Sequence, residues 1–336
     1  MSITSATPAE AKQTAEPLPI SVIVPTLNRG DYLLGTLRDL VRQNPPPREI
    51  IVVDQTPHYA LAIETALREL VDQHGIIYER INRRGASVAR NHGIALAQGE
   101  ILLFVDDDIE APETLCAVHY SHYGGSSAYD GVAGPMLSPT QAPTMELPKE
   151  YFWPHVGWMF APLDYGLALD NFILPTCNMS IRRSIALAIG GFDENLTRLE
   201  DSDFSWRAHA AGARVTYAPA AWVIHLLAPT GAARWVFKPI NDYVISRRDA
   251  WYEWFYLLLA SGGLLKGWRF FGYWFRRHIT RKVLLQRPHY LLLALTEVLI
   301  GYLAARQRLA SGRATRSDFR ALSTHGAPSE ERCSPA

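Results

Sequence analysis

The sequence predicts an α/β fold built on a doubly wound, mostly parallel sheet, followed by a helical, aromatic-rich, basic C-terminal segment. Three observations carry this expectation. Four short apolar runs alternate with segments of helical period, and none of the four alternates polar with apolar residues, as expected of strands buried on both faces. Two of these runs stop at carboxylates, Asp54 and the Asp106-Asp107-Asp108 triplet, so acidic groups fall at the C-terminal strand ends where open α/β sheets bind ligands. Charge is also divided along the chain. Lys plus Arg (33) equals Asp plus Glu (33), yet 14 Lys/Arg face only 4 Asp/Glu between Arg234 and Arg313.

The elements follow in order. Residues 1–17 are polar, hold Pro8 and Pro17 and have no apolar core, so they read as a disordered lead without a secretory signal and imply a cytoplasmic start. Ile20–Val24 is the first strand, ended by Pro25. Asp31–Gln43 carries Tyr32, Leu33, Leu37, Leu40 and Val41 at helical spacing, and Pro45, Pro46 and Pro47 stop it. Glu49–Val53 is a second strand, Ala60–Gln73 a helix, Ile76–Ile81 a third strand. Ser87–Ala97 is an Ala-rich helix closed by Gly99, and Ile101–Val105 is the fourth strand. From Gly124 to Trp158 glycine, proline, serine and aromatics crowd together, and loops with short strands are expected. Regularity returns at Ile181–Ala188, at a helix over Ser202–Ala211 ended by Gly212, and at short strands Val215–Tyr217 and Ala221–His225.

Composition narrows the classes. With 336 residues, 48% hydrophobic and 20% charged, a sizeable core forms and global disorder is excluded. A net charge of +0 argues against a dedicated nucleic-acid binder. Cys116, Cys177 and Cys333 are too few and too scattered for a disulfide framework or a zinc cluster, and read as buried or incidental thiols in a reducing compartment.

Four constellations can carry chemistry. Three carboxylates at Asp106–Asp108 repel one another unless a cation sits among them, and such oxygen clusters suit Mg²⁺ or Mn²⁺; a solvated acidic turn is the other reading. The Arg84-to-Gly93 stretch sets small residues and two arginines at a helix start, fit for a diphosphate or simply an ordinary helix. Glu200, Asp201 and Asp203 lead a helix, where negative charge is favoured by the dipole, and Asp201 is equally a candidate general base. His225 ends an apolar run, either as a structural residue or as a further metal ligand.

Together, Pro25-Thr26-Leu27-Asn28-Arg29, Val52-Val53-Asp54, the Gly85–Gly93 segment, Asp106-Asp107-Asp108, Asn178-Met179-Ser180-Ile181-Arg182, Gly190-Gly191-Phe192-Asp193 and Glu200-Asp201-Ser202-Asp203 occur in order. In that order they resemble a family-2 inverting glycosyltransferase of bacterial type over about residues 18–230. The resemblance implies a GT-A fold with a Rossmann-like nucleotide-binding half. It implies that Pro25, Thr26, Asn28 and Asp54 line the nucleotide pocket, and that Arg84, Gly85 and Arg90 hold ribose and phosphates. Asp106 would lie near the ribose with Asp107 beside it, Asp108 and Asp106 would bind a divalent cation (Mn²⁺ or Mg²⁺), and His225 matches a late histidine that ligates metal in some members. Asp201 would be the catalytic base, with Glu200 orienting it or the acceptor. Where the family often carries a second Asp after the second strand, this chain has Gln55, which can accept from a pyrimidine N3–H and leaves UDP, dTDP and GDP open. The implied reaction moves a sugar from a nucleotide-diphosphate sugar to a glycan or lipid-linked acceptor with inversion, in surface polysaccharide assembly. A sugar nucleotidyltransferase is disfavoured because Pro25–Arg29 replaces the glycine-rich loop that such an enzyme carries. An inactive scaffold on the same fold is the remaining alternative.

Residues 231–310 hold five tryptophans among many arginines, which suits interfacial helices on the anionic inner face of a cell membrane. A single span near 289–305 and a helical dimer interface are the alternatives. Residues 311–336 are polar and read as a disordered tail.

Overall fold

The computed structural model describes residues 16–125, 128–140, 174–194 and 200–228, together with isolated positions at 142, 196, 299, 302, 303, 306 and 307. The expected lead, the basic segment over 231–310 and the tail therefore lie almost wholly outside the described residues, as does much of the stretch between Gly124 and Trp158.

The first half alternates strand and helix: β1 (Leu18–Thr26), α1 (Gly30–Leu40), β2 (Pro47–Asp54), α2 (Leu61–His74), β3 (Ile77–Arg80), α3 (Ala86–Leu96) and β4 (Ile101–Val105). Then come β5 (Ile109–Glu110), α4 (Leu115–Ser121), β6 (Gly131–Ala133), β7 (Met136–Leu137), β8 (Asn178–Arg182), α5 (Arg183–Ala188), α6 (Glu200–Ala210), β9 (Val215–Tyr217) and β10 (Val223–His225). The main sheet has seven strands in the order β3-β2-β1-β4-β8-β6-β9. Strands β3, β2, β1 and β4 are mutually parallel. β8 is antiparallel to both β4 and β6, and β6 pairs parallel with β9, so β8 alone runs against the rest. The chain winds outward from β1 to β3, then returns to place β4 on β1's other side. The C-terminal ends of β1 and β4 thus flank a switch point, where such sheets open a ligand crevice.

Burial explains the layers. Every residue of β4 is buried, as are Ile20, Val22, Ile23 and Val24 of β1. Val22 and Val24 point into one core with Leu33, Leu34, Leu37 and Leu40 of α1, and Ile23 into the other with Ala89 and Ile94 of α3. Each fully buried leucine of α1 contributes roughly 1.5–3 kcal/mol. α3 comes close because Gly93 faces β1; a Cβ there would stand 2.5 Å from Ile23 Cγ2.

Several sequence expectations need correction. β1 continues through Pro25 to Thr26, because pairing with β4 ends at Ile23, so the missing proline N–H costs no bond on that side. α1 ends at Leu40, well before the prolines. Gln43, expected inside the helix, instead ties the following loops, accepting from Cys116 N–H at 2.9 Å and donating to the Pro112 carbonyl at 2.8 Å. Gly99 does not cap α3; it lies where β1 passes closely, its N–H donating to Ser21 Oγ at 2.8 Å. The regular stretch 181–188 divides into the end of β8 and the short helix α5, and the last strand shortens to Val223–His225.

A second sheet, β5-β10-β7, positions the site. β10 runs antiparallel to β5 with His225 opposite Ile109. Since β5 begins one residue after the aspartate triplet, this pairing brings His225 alongside Asp108.

Candidate active site

The turn after β4 is fixed from α1. The Thr36 hydroxyl accepts from Ile109 N–H at 3.1 Å and lies 3.0 and 2.9 Å from the Asp107 and Ile109 carbonyls. That anchoring sends the three carboxylates to different places. Asp107 turns inward, accepting from Thr26 Oγ1 at 2.6 Å and from Arg29 Nη1 at 2.8 Å. Burial pushes its pKa up to about 6, against the pull of Arg29 and Thr26. Asp106 and Asp108 turn toward His225, whose Nε2 lies 3.5 Å from Asp106 Oδ2 and 3.3 Å from Asp108 Oδ1.

Asp108 is the most constrained of the three. Its carbonyl accepts from Leu226 N–H at 2.8 Å, and its Oδ2 accepts from Ala228 N–H at 2.9 Å and faces Arg29 at 3.2 Å. Asp108 Oδ1 and His225 Nδ1 are buried and have no hydrogen-bond partner among the described residues. One ligand atom from each of Asp106, Asp108 and His225 falls within 4.8 Å of the others. Two carboxylates and an imidazole with an orphaned buried oxygen fit a divalent cation of the Mg²⁺ or Mn²⁺ type. Burial opposes charge on Asp106, but His225 and the Arg90 and Arg29 guanidiniums outweigh it and hold its carboxyl below the usual carboxylate range.

Arg90 joins this cluster to α6. Its Nη1 donates to Glu200 Oε1 at 3.0 Å and its Nη2 faces Asp106 Oδ1 at 3.5 Å. Beneath it Phe104, Phe192 and Phe204 pack at centroid distances of 4.3 to 6.4 Å, with the guanidinium 5.6 Å above Phe192. The Gly190–Glu194 loop is pinned from two sides. Asn91 exchanges hydrogen bonds with the Phe192 backbone at 2.8 and 2.9 Å, and Arg207 donates to the Ile189 and Gly191 carbonyls at 2.7 and 2.6 Å. Asp203 pairs with Arg207 within α6. Asp201 lies on α6's first turn, its carbonyl accepting from Ser205 Oγ at 2.7 Å.

At the first loops the expected pocket residues divide. Thr26 is buried, Pro25 half-buried, and Asn28 exposed with φ 58°. Asp54 is fully buried and both its oxygens are used, Oδ1 by Thr56 N–H at 2.7 Å and Oδ2 by the Tyr78 hydroxyl. Thr56 Oγ1 in turn accepts from Asn28 N–H at 2.7 Å, so Asp54 shapes the Asn28 loop from beneath. Gln55 Nε2 donates to the Arg83 and Gly85 carbonyls at 2.6 and 3.0 Å; two carbonyl partners fix which end of the amide is nitrogen. Gly85 (φ 133°) and Arg84 are exposed, while Arg83, not singled out from the sequence, pairs with Glu194 at 2.5 Å.

Sequence reasoning missed two placements. Cys177, expected only as a buried or incidental thiol, is buried just ahead of β8, and its thiol is pushed well above its ordinary pKa by burial and by the charges of Asp106 and Asp201. It therefore stands among the groups of both halves of the site. The second is a buried polar pillar. Asn178 Nδ2 donates to the Pro135 and Ala221 carbonyls, so its Oδ1 faces His119 Nε2 at 3.0 Å as the acceptor. His119 Nδ1 then accepts from Ser180 Oγ at 2.8 Å, which accepts from the Tyr123 hydroxyl at 2.7 Å. The sequence signal was the polar Asn178 and Ser180 inside an otherwise apolar strand.

Comparisons with known proteins bear on the family and the fold. The profile of Glycosyl transferase family 2 matches residues 21–186. The succinoglycan biosynthesis protein ExoM of Rhizobium meliloti is 30% identical over 218 residues, 62% of this chain and 67% of ExoM. Validoxylamine A glucosyltransferase of Streptomyces hygroscopicus subsp. limoneus is 29% identical over 233 residues, 61% of this chain but only 51% of that relative. The chain thus spans about half the length of that glucosyltransferase. Among solved structures, a Pyrobaculum calidifontis mannosyltransferase in complex with GDP-Man and Mn²⁺ superposes with a TM-score of 0.52 at 17% identity, covering 92% of this chain and 81% of that one. S. aureus TarS 1-349 in complex with UDP-GlcNAc gives 0.52 at 18%, covering 87% and 92%. At such identities the likeness is one of fold.

Proposed function

The chain belongs to glycosyl transferase family 2 and has the GT-A fold, and from that premise we propose that it is an inverting, hexosyltransferase-type enzyme. In this reading a sugar moves from a nucleotide-diphosphate donor to a hydroxyl of a glycan or lipid-linked acceptor in surface polysaccharide assembly. The observation that carries it is the Asp106–Asp108–His225 group with its orphaned Asp108 oxygen, joined through Arg90 to the carboxylates that open α6.

Asp106, Asp108 and His225 would hold a divalent cation, Mn²⁺ or Mg²⁺. When bound, it neutralises the charge that grows on the diphosphate as the glycosidic bond breaks. The Pro25–Asn28 loop and Gln55 border the nucleotide, with Asp54 buttressing them. Arg84 and Gly85 face the phosphates. Asp201 takes the proton of the acceptor hydroxyl, with Glu200 beside it. As the new C–O bond forms on one face of the sugar carbon, the bond to the diphosphate breaks on the other and its electron pair leaves with the nucleotide. A single displacement of this kind inverts the anomeric centre.

A peripheral position on the inner membrane face completes the proposal. No described helix is long and apolar enough to cross a membrane. Leu299 and Leu303, one helical turn apart, are 56% and 54% exposed, with Arg306 near the Tyr302 ring at 6.0 Å. That spacing suits a helix lying at an interface.

Calorimetric titration with UDP, dTDP and GDP, each with and without Mn²⁺, tests the proposal. Metal-dependent binding of one nucleotide is expected and names the donor's base. Asp201→Asn should abolish turnover while sparing nucleotide affinity. A folded protein that binds none of the three would instead favour a scaffold at the membrane.

A further inference from the structure

Arg90 is only 4% exposed, yet its charged partners lie on other elements: Glu200 opens α6 and Asp106 follows β4. Its Nε is buried without a hydrogen-bond partner, and its guanidinium lies 5.6 Å over Phe192 on the pinned Gly190–Glu194 loop. The turn after β4 and the 192–200 stretch, far apart in sequence, therefore meet at one planar cation. Asp106 meanwhile gives its second oxygen to His225, so one guanidinium links the cation-binding side to the acceptor side.

We propose that Arg90 is a positioning residue that fixes the first turn of α6, and with it Asp201, at a set distance from Asp106, rather than a ligand of the donor phosphates. The inference rests on the transfer reading. The first turn of α6 crowds Glu200, Asp201 and Asp203, and two of these are anchored to different partners, Glu200 to Arg90 and Asp203 to Arg207. Asp201 stands between two neighbours whose carboxylates are tied down, which limits the orientations open to it. Both Nη atoms of Arg90 already face carboxylates, and a buried guanidinium that left them for a phosphate would strand Glu200. Arg84 lies exposed at the start of the same helix and meets an anion without that cost.

A double-substitution cycle on the full chain tests this: Arg90→Lys, Glu200→Gln and both together. Hydrolysis of UDP-glucose, dTDP-glucose and GDP-mannose to free nucleotide with Mn²⁺ gives kcat and donor KM without needing the acceptor. Lysine keeps the charge but not the fork that spans two carboxylates. Arg90→Lys should lower kcat roughly 10- to 100-fold while donor KM changes less than about threefold. The double variant should be no worse than the poorer single variant within about threefold. A tenfold rise in donor KM with kcat retained, or additive losses, would overturn the proposal.

Amide exchange at Phe204 and Ser205, which close the first turn of α6, reads the same strut without turnover. It should accelerate at least about tenfold in both Arg90→Lys and Glu200→Ala. Unchanged exchange overturns the strut, and Glu200→Ala alone decides if Arg90→Lys does not fold. A wild-type protein that turns over no donor would count against the transfer reading only, leaving the exchange result to judge Arg90.

Discussion

Asp106, Asp107 and Asp108 are neighbours in sequence, but the turn after β4 gives each carboxylate different partners. Asp107 serves the fold: its oxygens hold Thr26 and Arg29, and so the loop after β1. Asp108 keeps one buried oxygen that accepts no hydrogen bond, with His225 Nε2 beside it at 3.3 Å, and a bound cation would compensate that oxygen's lost solvation. Mn²⁺ should therefore raise the wild-type Tm, because a ligand that binds only the folded state stabilises it by mass action. In Asp108→Asn, thermal unfolding with and without Mn²⁺ should show that shift lost, with the metal-free Tm little changed. An equal shift in the variant would place the cation elsewhere. The triplet and His225 were legible as candidates in the sequence because their residue types are those of hard-cation sites. The family resemblance named Asp106 and Asp108 with His225, but residue types alone could not separate them from Asp107, since that depends on Thr36 fixing the turn and on β10 pairing with β5, both long-range facts. Asp54 shows the opposite case: the motif was visible, but its burial under Thr56 and Tyr78 could not be seen without the neighbouring strand.

At the scale of elements, the parallel half was readable because strands buried on both faces announce themselves as uninterrupted apolar runs. β8 was not read as a strand over its whole length. Asn178 and Ser180 break its apolar pattern, and both are buried against His119 of α4 and Tyr123 just beyond it. This pillar holds the one antiparallel strand that joins the two halves of the sheet. Burial lowers the His119 pKa to about 4 from its ordinary value of 6.5. His119 is thus neutral in the fold, and protons bind the unfolded chain first. Its stabilising contribution is complete above pH 6.5 and falls away as pH drops toward about 4, by about 3 kcal/mol in all. Urea unfolding between pH 7 and pH 4 should show this slope in the wild type and a flatter one in His119→Gln. The pillar's far end is equally tight. A Cβ on Gly134 would lie 2.0 Å from the Ala221 carbonyl oxygen and 2.3 Å from Asn178 Nδ2, so backbone must move. Gly134→Ala should destabilise by about 2–4 kcal/mol in the same assay, whereas Gly35→Ala, inside α1 where a Cβ meets nothing within 4 Å, should stabilise by about 0.5–1 kcal/mol.

For the whole molecule, the charge division bears on the proposed membrane position. From Arg234 to Arg313 the excess is 14 Lys/Arg over 4 Asp/Glu, and since the chain is neutral the rest carries the matching negative charge. In the proposed peripheral position, electrostatics would turn the acidic part of the chain away from an anionic surface and the basic stretch toward it. The crevice at the β1–β4 switch point would then receive a lipid-linked acceptor from a fixed side. Co-sedimentation of the full chain with vesicles should show binding to phosphatidylglycerol mixtures, weak binding to pure phosphatidylcholine, and release as salt shortens the Debye length. Replacing Arg276 and Arg277 together with glutamine should cost about 2 kcal/mol of membrane affinity, roughly a thirtyfold loss. Equal binding to neutral vesicles would assign the attraction to the tryptophans rather than the arginines. No binding to either, with a dimer in solution, would instead assign the aromatic-rich segment to a subunit interface.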